Sequence, residues 1–87
     1  MSPSLYLFVE DGCPACARAI PEFEKFKAKH PMQLALQFDA LGPYPEHFGI
    51  KIRATPTYPL RRGDAAVMRA GALTAAQIEK WIKEIAA

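Results

Sequence analysis

The sequence predicts an α/β fold, a four-stranded mixed sheet flanked by helices in the order β-α-β-α-β-β-α. Three observations predict it. Residues 5–9, LYLFV, are apolar at every position, the pattern of a central strand covered on both faces. A helical stretch and a second apolar run follow at once, so the first two strands run parallel through a right-handed crossover. Further on, Gly63-Asp64 stands between two β-prone runs and reads as an antiparallel hairpin. With 87 residues the chain reads as a single domain over 1–87. At that length only about 60–65% of the unfolded surface can be buried.

Each element carries its own signals. Asp11-Gly12 ends the first strand. The helix runs from Pro14 to Lys29: Cys16, Ile20 and Phe23 step by four and three, and Ala19 and Phe26 widen the stripe. Glu22, Glu24, Lys25, Lys27 and Lys29 form its wet face. His30-Pro31 closes it, since the residue before a proline avoids the helical region. The second strand is Leu34–Phe38. Residues 42–45, GPYP, turn the chain, and Pro45 starts a short helix through Phe48. The third strand lies within Ile52–Leu60, where Pro59 predicts a bulge or a lost ladder bond. The fourth is Ala65–Ala70, ended by Gly71. Thr74 is the N-cap of the last helix, with Gln77 at the capping-box position. Ile78, Trp81, Ile82 and Ile85 fall at i, i+3, i+4 and i+7, which assigns Trp81 to the core.

Composition excludes several classes. The chain is 51% hydrophobic and 23% charged, ordinary for a globular protein and unlike a disordered one. No apolar run approaches the roughly 20 residues of a membrane span. The first ten residues have no basic n-region, so no signal peptide is expected and a cytoplasmic location is implied. Net charge is +2 with scattered basic residues, a poor footprint for nucleic acid.

The chemistry concentrates in Cys13 and Cys16, the two cysteines of the chain. A bond between them closes almost no loop, so it barely restrains the unfolded chain. Zinc wants four ligands, and His30 and His47, the two histidines, lack ligand spacing to the cysteines, so no metal is expected. A reactive couple fits better. With Cys13 as N-cap, Pro14 takes the first helical position, where its missing N–H costs nothing. The unpaired amides of Ala15 and Cys16 then point toward the Cys13 sulfur and favour a thiolate. In such a place a thiol with an ordinary pKa near 8.5 falls to about 7 or below. Cys16 lies one turn on and further inward, placed to resolve a mixed disulfide.

Here the sequence resembles the thioredoxin family. Residues 11–16, DGCPAC, stand where that family carries WCGPC, and Pro21 matches the proline that kinks the active-site helix. Phe48-Gly49-Ile50 followed by residues 52–57, IRATPT, resembles YGIRGIPT. Arg62-Gly63-Asp64 resembles the NGE hairpin, and residues 71–74, GALT, resemble GALS before the final helix. The resemblance implies a minimal thioredoxin fold. It implies a cis-proline at Pro56 that faces the cysteines and leaves the Thr55 amide and carbonyl to pair with a substrate strand. Gly12, Pro14, Ala15 and Gly71 would complete the substrate surface.

The chain departs from the family in places. It begins at the first central strand and is glutaredoxin-sized. Leu7 stands where thioredoxins bury an aspartate near the second cysteine. Gly12 replaces a tryptophan. Pro14-Ala15 is closer to glutaredoxins and disulfide oxidases, and such intervening pairs belong to proteins whose potentials span about −270 to −120 mV. Glutaredoxins bind glutathione beside a basic residue near the first cysteine, whereas Glu10 and Asp11 precede Cys13 here. The expectation is therefore a thiol-disulfide oxidoreductase for protein disulfides, monomeric and without a bound cofactor. A flavoprotein thioredoxin reductase would supply electrons, and ribonucleotide reductase would be among the acceptors. The alternatives are a glutathione-linked glutaredoxin-like protein and a non-catalytic interaction subunit.

Overall fold

In the computed structural model residues 3–47 and 49–86 are described. The order is β1 (Ser4–Val9), α1 (Pro14–Lys29), β2 (Ala35–Asp39), α2 (Tyr44–His47), β3 (Thr57–Arg62), β4 (Ala65–Ala70) and α3 (Ala75–Ala86). The strands lie side by side as β2-β1-β3-β4. β1 and β2 are parallel, with Phe8 opposite Phe38, and the β1–β3 and β3–β4 pairs are antiparallel. This is the four-stranded mixed sheet and element order the sequence predicts.

Alternation along β1 sorts the core into two layers. Leu5 and Leu7 join Tyr58 and Leu60 of β3 beneath α1 and α3, which contribute Ala19, Phe23 and Phe26, and Ile78 and Trp81. Each of these side chains is buried, Leu5, Leu7, Phe23, Tyr58 and Ile78 completely. Tyr6 and Phe8 point the other way. Their rings meet Phe38 at 5.9 and 5.5 Å, and Phe38 meets Tyr44 of α2 at 4.5 Å. The second face is thus covered by a single helical turn and an aromatic stack, where the sequence predicts a helix beginning at Pro45. That helix begins one residue earlier, at Tyr44; its expected end, Phe48, lies outside the described residues.

Local chemistry explains the boundaries. α1 starts at Pro14 and ends at Lys29, with the His30 amide still donating to the Phe26 carbonyl. β3 starts only at Thr57, because Pro56 has no N–H to give a ladder. Its register with β1 keeps step from Ser4–Arg61 to Phe8–Thr57, with the pairing interrupted at Tyr6 and Leu7 opposite Pro59 and Tyr58. No extra residue enters, so Pro59 brings a lost ladder bond and not a bulge. At α3 the capping box is complete: the Gln77 amide donates to Thr74 Oγ1 at 3.1 Å, and the Thr74 amide donates to Gln77 Oε1 at 2.9 Å.

Two carboxylates tie α1 to the C-terminal part of the chain. Glu22 Oε1 accepts from the Ala75 amide at 3.0 Å while its other oxygen meets Lys25 at 2.8 Å. Glu79 on α3 meets His30 at 2.8 Å and Lys29 at 3.3 Å. Hydrogen bonds from Lys25 and the Ala75 amide hold the Glu22 carboxyl below its ordinary value of 4.5. Hydrogen bonds from His30 and Lys29 do the same for Glu79. A carboxyl lowered in the folded state contributes stability that is complete above its unfolded value and lost as pH falls through the folded one. The melting temperature is therefore expected to drop as pH falls below 4.5, and Glu79→Gln should flatten part of that drop. A melting series from pH 7 to 2 by circular dichroism checks it; identical profiles for the two proteins would contradict the assignment.

Candidate active site

The site is built at the start of α1. Cys13 is the N-cap, in extended conformation at φ −94° and ψ 108°. An N-cap side chain accepts from an otherwise orphaned amide of the first turn. Here the acceptor is sulfur: the Cys16 amide donates to Cys13 Sγ at 3.1 Å. The sequence predicts amides of both Ala15 and Cys16 at this sulfur; the structure brings the Cys16 amide there. Gly12, at φ +76°, lets the chain leave β1 and enter the cap in a backbone region that side chains resist.

Cys13 and Cys16 form a disulfide with their Cα atoms 5.2 Å apart. Their environments differ. Cys16 is 2% exposed, below the helix surface, whereas Cys13 is half-buried and opens to solvent between exposed Gly12 and Pro14. Ala15 is half-buried beside them. Solvent reaches Cys13 and is nearly excluded from Cys16.

The second wall comes from the segment before β3. The Thr55–Pro56 peptide bond is cis. The Thr55 carbonyl oxygen lies 3.6 Å from Cys13 Sγ, and Thr55 Oγ1 lies 3.7 Å from it. The carbonyl of Pro56 accepts from the Gly71 amide at 2.9 Å, which joins the end of β4 to the same wall. Thr57 Oγ1 donates to the Ala54 carbonyl and closes the turn. Gly71 is exposed with φ +100°, and a Cβ there would meet nothing within 4 Å. Its backbone conformation, more than lack of room in this chain, is what calls for glycine.

The remaining candidates lie elsewhere. Leu7 is completely buried within the apolar core, and Thr57 is the buried polar side chain among the described residues. His30 stacks on Phe26 at 4.8 Å and meets Glu79. It caps the far end of a 16-residue helix, about 24 Å from the cysteines at 1.5 Å per residue. His47 lies on α2, after the second strand. Among the described residues no group of three or more His, Cys, Asp and Glu is placed to hold a metal ion, and no helix is long and apolar enough to cross a membrane. Two features were not foreseen from the sequence. One is the Thr55 hydroxyl beside the sulfur, which only folding brings within reach across 42 positions. The other is a groove next to it, lined by Lys51 and Arg53.

A mixed sheet in this order, with a Cys-x-x-Cys pair opening its first helix and an X-Pro loop against the first sulfur, is the thioredoxin fold. Solved structures share it. The short form of thioredoxin f from spinach chloroplast superposes with a TM-score of 0.79 at 19% identity, over 99% of this chain and 78% of that one. Chloroplastic thioredoxin z gives 0.74 at 21% identity, over 98% and 79%. Oxidised thioredoxin from Plasmodium falciparum gives 0.73 at 19% identity, over 99% and 83%. At these identities the likeness is one of fold. No protein-family model matches the sequence, and no curated protein does.

Proposed function

We propose that this chain is a thioredoxin-like thiol-disulfide oxidoreductase that reduces protein disulfides. In the dithiol form, Cys13 as thiolate attacks one sulfur of the substrate disulfide. A Cys13–substrate disulfide forms and the first substrate thiolate leaves. Cys16 then gives up its proton and attacks Cys13 Sγ, and the second substrate sulfur leaves as a thiol. Two electrons pass from the dithiol to the substrate, and the Cys13–Cys16 disulfide remains. Thr55 and Pro56 orient the substrate strand, and Gly12, Pro14, Ala15 and Gly71 complete the surface it lies on.

The observation that carries this reading is the asymmetry of the pair. The accessible sulfur is the one that receives a helix N-terminal amide, at 3.1 Å, and the buried sulfur is one turn behind it. The solved thioredoxins of the same fold support it. As a single-domain, monomeric carrier in the cytoplasm it would take electrons from a flavoprotein thioredoxin reductase and pass them to disulfides such as that of ribonucleotide reductase. It would need no bound cofactor.

Insulin reduction followed by turbidity tests the reaction. With dithiothreitol as electron source, micromolar protein should shorten the lag before the B chain precipitates. Replacing dithiothreitol by NADPH with thioredoxin reductase should sustain the reaction, and glutathione with glutathione reductase should not. An unchanged lag with dithiothreitol would remove the catalytic reading; support by glutathione alone would move it to the glutaredoxin-like alternative.

A further inference from the structure

Beside the Thr55–Pro56 wall lies a groove of about 340 Å³ between residues 51–54 and the β3–β4 sheet. Its floor is Ala54, Thr57, Met68 and Ala70, and its charged lining is Lys51 and Arg53. We propose that this groove receives an acidic segment of the protein whose disulfide is reduced, a specificity that rests on the oxidoreductase reading above.

Among the described residues several cations lack a partner, and Lys51 and Arg53 are the two of them that line this groove. On α1 the lysines are already matched: Lys25 with Glu22, Lys27 with Glu24, and Lys29 with Glu79. Lys51 and Arg53 have neither ion pair nor side-chain hydrogen bond among the described residues. Both are exposed, and no acidic residue shares the groove lining with them. Two like charges facing one concavity repel each other, and a carboxylate between them relieves that repulsion. The apolar floor gives a peptide chain something to cover, since Met68 is 47% exposed as it stands.

Position ties the groove to the reaction. Arg53 is two residues before Thr55, so their Cα atoms are within about 7 Å at the extended limit. Thr55 in turn touches Cys13 Sγ. A strand pairing with Thr55 therefore carries its flanking residues over Lys51 and Arg53. Glu10 and Asp11 precede the cap in the chain and are absent from the groove lining. The two cations set a preference for acidic residues next to the disulfide cysteine of the substrate.

The test uses two disulfide peptides of one sequence that differ only in carrying two aspartates or two serines beside a cysteine. Pre-reduced protein is mixed with each, and the second-order rate constants are compared. The acidic peptide should react about fivefold faster at low salt, the size that two exposed ion pairs supply. The ratio should fall to about one in 0.5 M salt, and to about one in the Lys51→Gln/Arg53→Gln protein. In parallel, Cys→Ser versions of both peptides are bound to Cys13→Ser protein and followed by fluorescence anisotropy. That arm reads the groove without any thiol exchange. Preference in anisotropy with no exchange would sink the redox reading and keep the groove. Equal rates and equal binding in the unaltered groove, or a ratio that survives the double substitution, would overturn the proposal. Glutathione exchange is followed in parallel; equal peptide rates with glutathione exchange slowed by the double substitution would assign the groove to glutathione and overturn the proposal.

Discussion

Cys13→Ser is expected to abolish disulfide reduction, with a loss of more than about 10³-fold in rate. A serine hydroxyl at this N-cap still accepts the Cys16 amide, so the helix start and the fold should survive. What it lacks is an accessible anion at neutral pH. The 3.1 Å amide contact and the dipole of α1 favour the thiolate of Cys13; they cannot bring an alcohol into the same range. Cys16→Ser should behave differently. Cys13 still attacks, yet nothing one turn behind it displaces the substrate sulfur, so a covalent protein–substrate adduct accumulates. Mass spectrometry of the two variants after exposure to a disulfide peptide separates the roles: no adduct for Cys13→Ser, and one stoichiometric adduct for Cys16→Ser. Adducts on the reverse pair would exchange nucleophile and resolving group. Retention of insulin reduction by both variants would leave only an interaction module.

Phe23→Ala is expected to cost about 3–5 kcal/mol. Phe23 is completely buried on the face of α1 that meets the sheet, with its ring 6.4 Å from that of Tyr58. Truncation removes apolar burial and leaves a void that helix and sheet, held at both ends by caps and ion pairs, cannot close. A domain of 87 residues has roughly 4–13 kcal/mol in total at about 0.05–0.15 kcal/mol per residue. The substitution therefore takes a large share of it, and the midpoint of urea unfolding should shift accordingly. Met32→Ala is the contrast. Met32 is 95% exposed and should change stability by less than about 0.5 kcal/mol. A shift below about 1 kcal/mol for Phe23→Ala would show that the α1 core is looser than described.

The legible parts of this protein were those whose causes lie within a few residues. α1 begins and ends where Pro14 and the His30-Pro31 pair predict, because proline acts through local sterics and a missing donor. The hairpin turns at Gly63, φ +63°, and α3 opens on the Thr74–Gln77 box, both again local. The candidate site was legible for a similar reason. Cys13, Pro14 and Cys16 specify their own cap geometry, whereas the expectation for Pro56 and Thr55 came from a resemblance carried by motifs spread along the chain.

What local signals left open is how distant segments meet. The third strand was placed anywhere in Ile52–Leu60, and its start at Thr57 depends on which backbone donors the β1 and β4 partners require. Glu22 looks like a surface residue until α3 arrives with its Ala75 amide, 53 positions away. Lys51 and Arg53 look scattered until Met68 and Ala70 are brought beneath them. Sequence by itself determined the helix caps, the turn and the place of Cys13 at the start of α1, since those rest on φ preferences and hydrogen bonds between near neighbours. Tertiary structure decided where β3 begins, which distant amide Glu22 meets and which cations share a groove. Those follow from burying one apolar face against another, a condition the whole chain satisfies at once and no short stretch can encode.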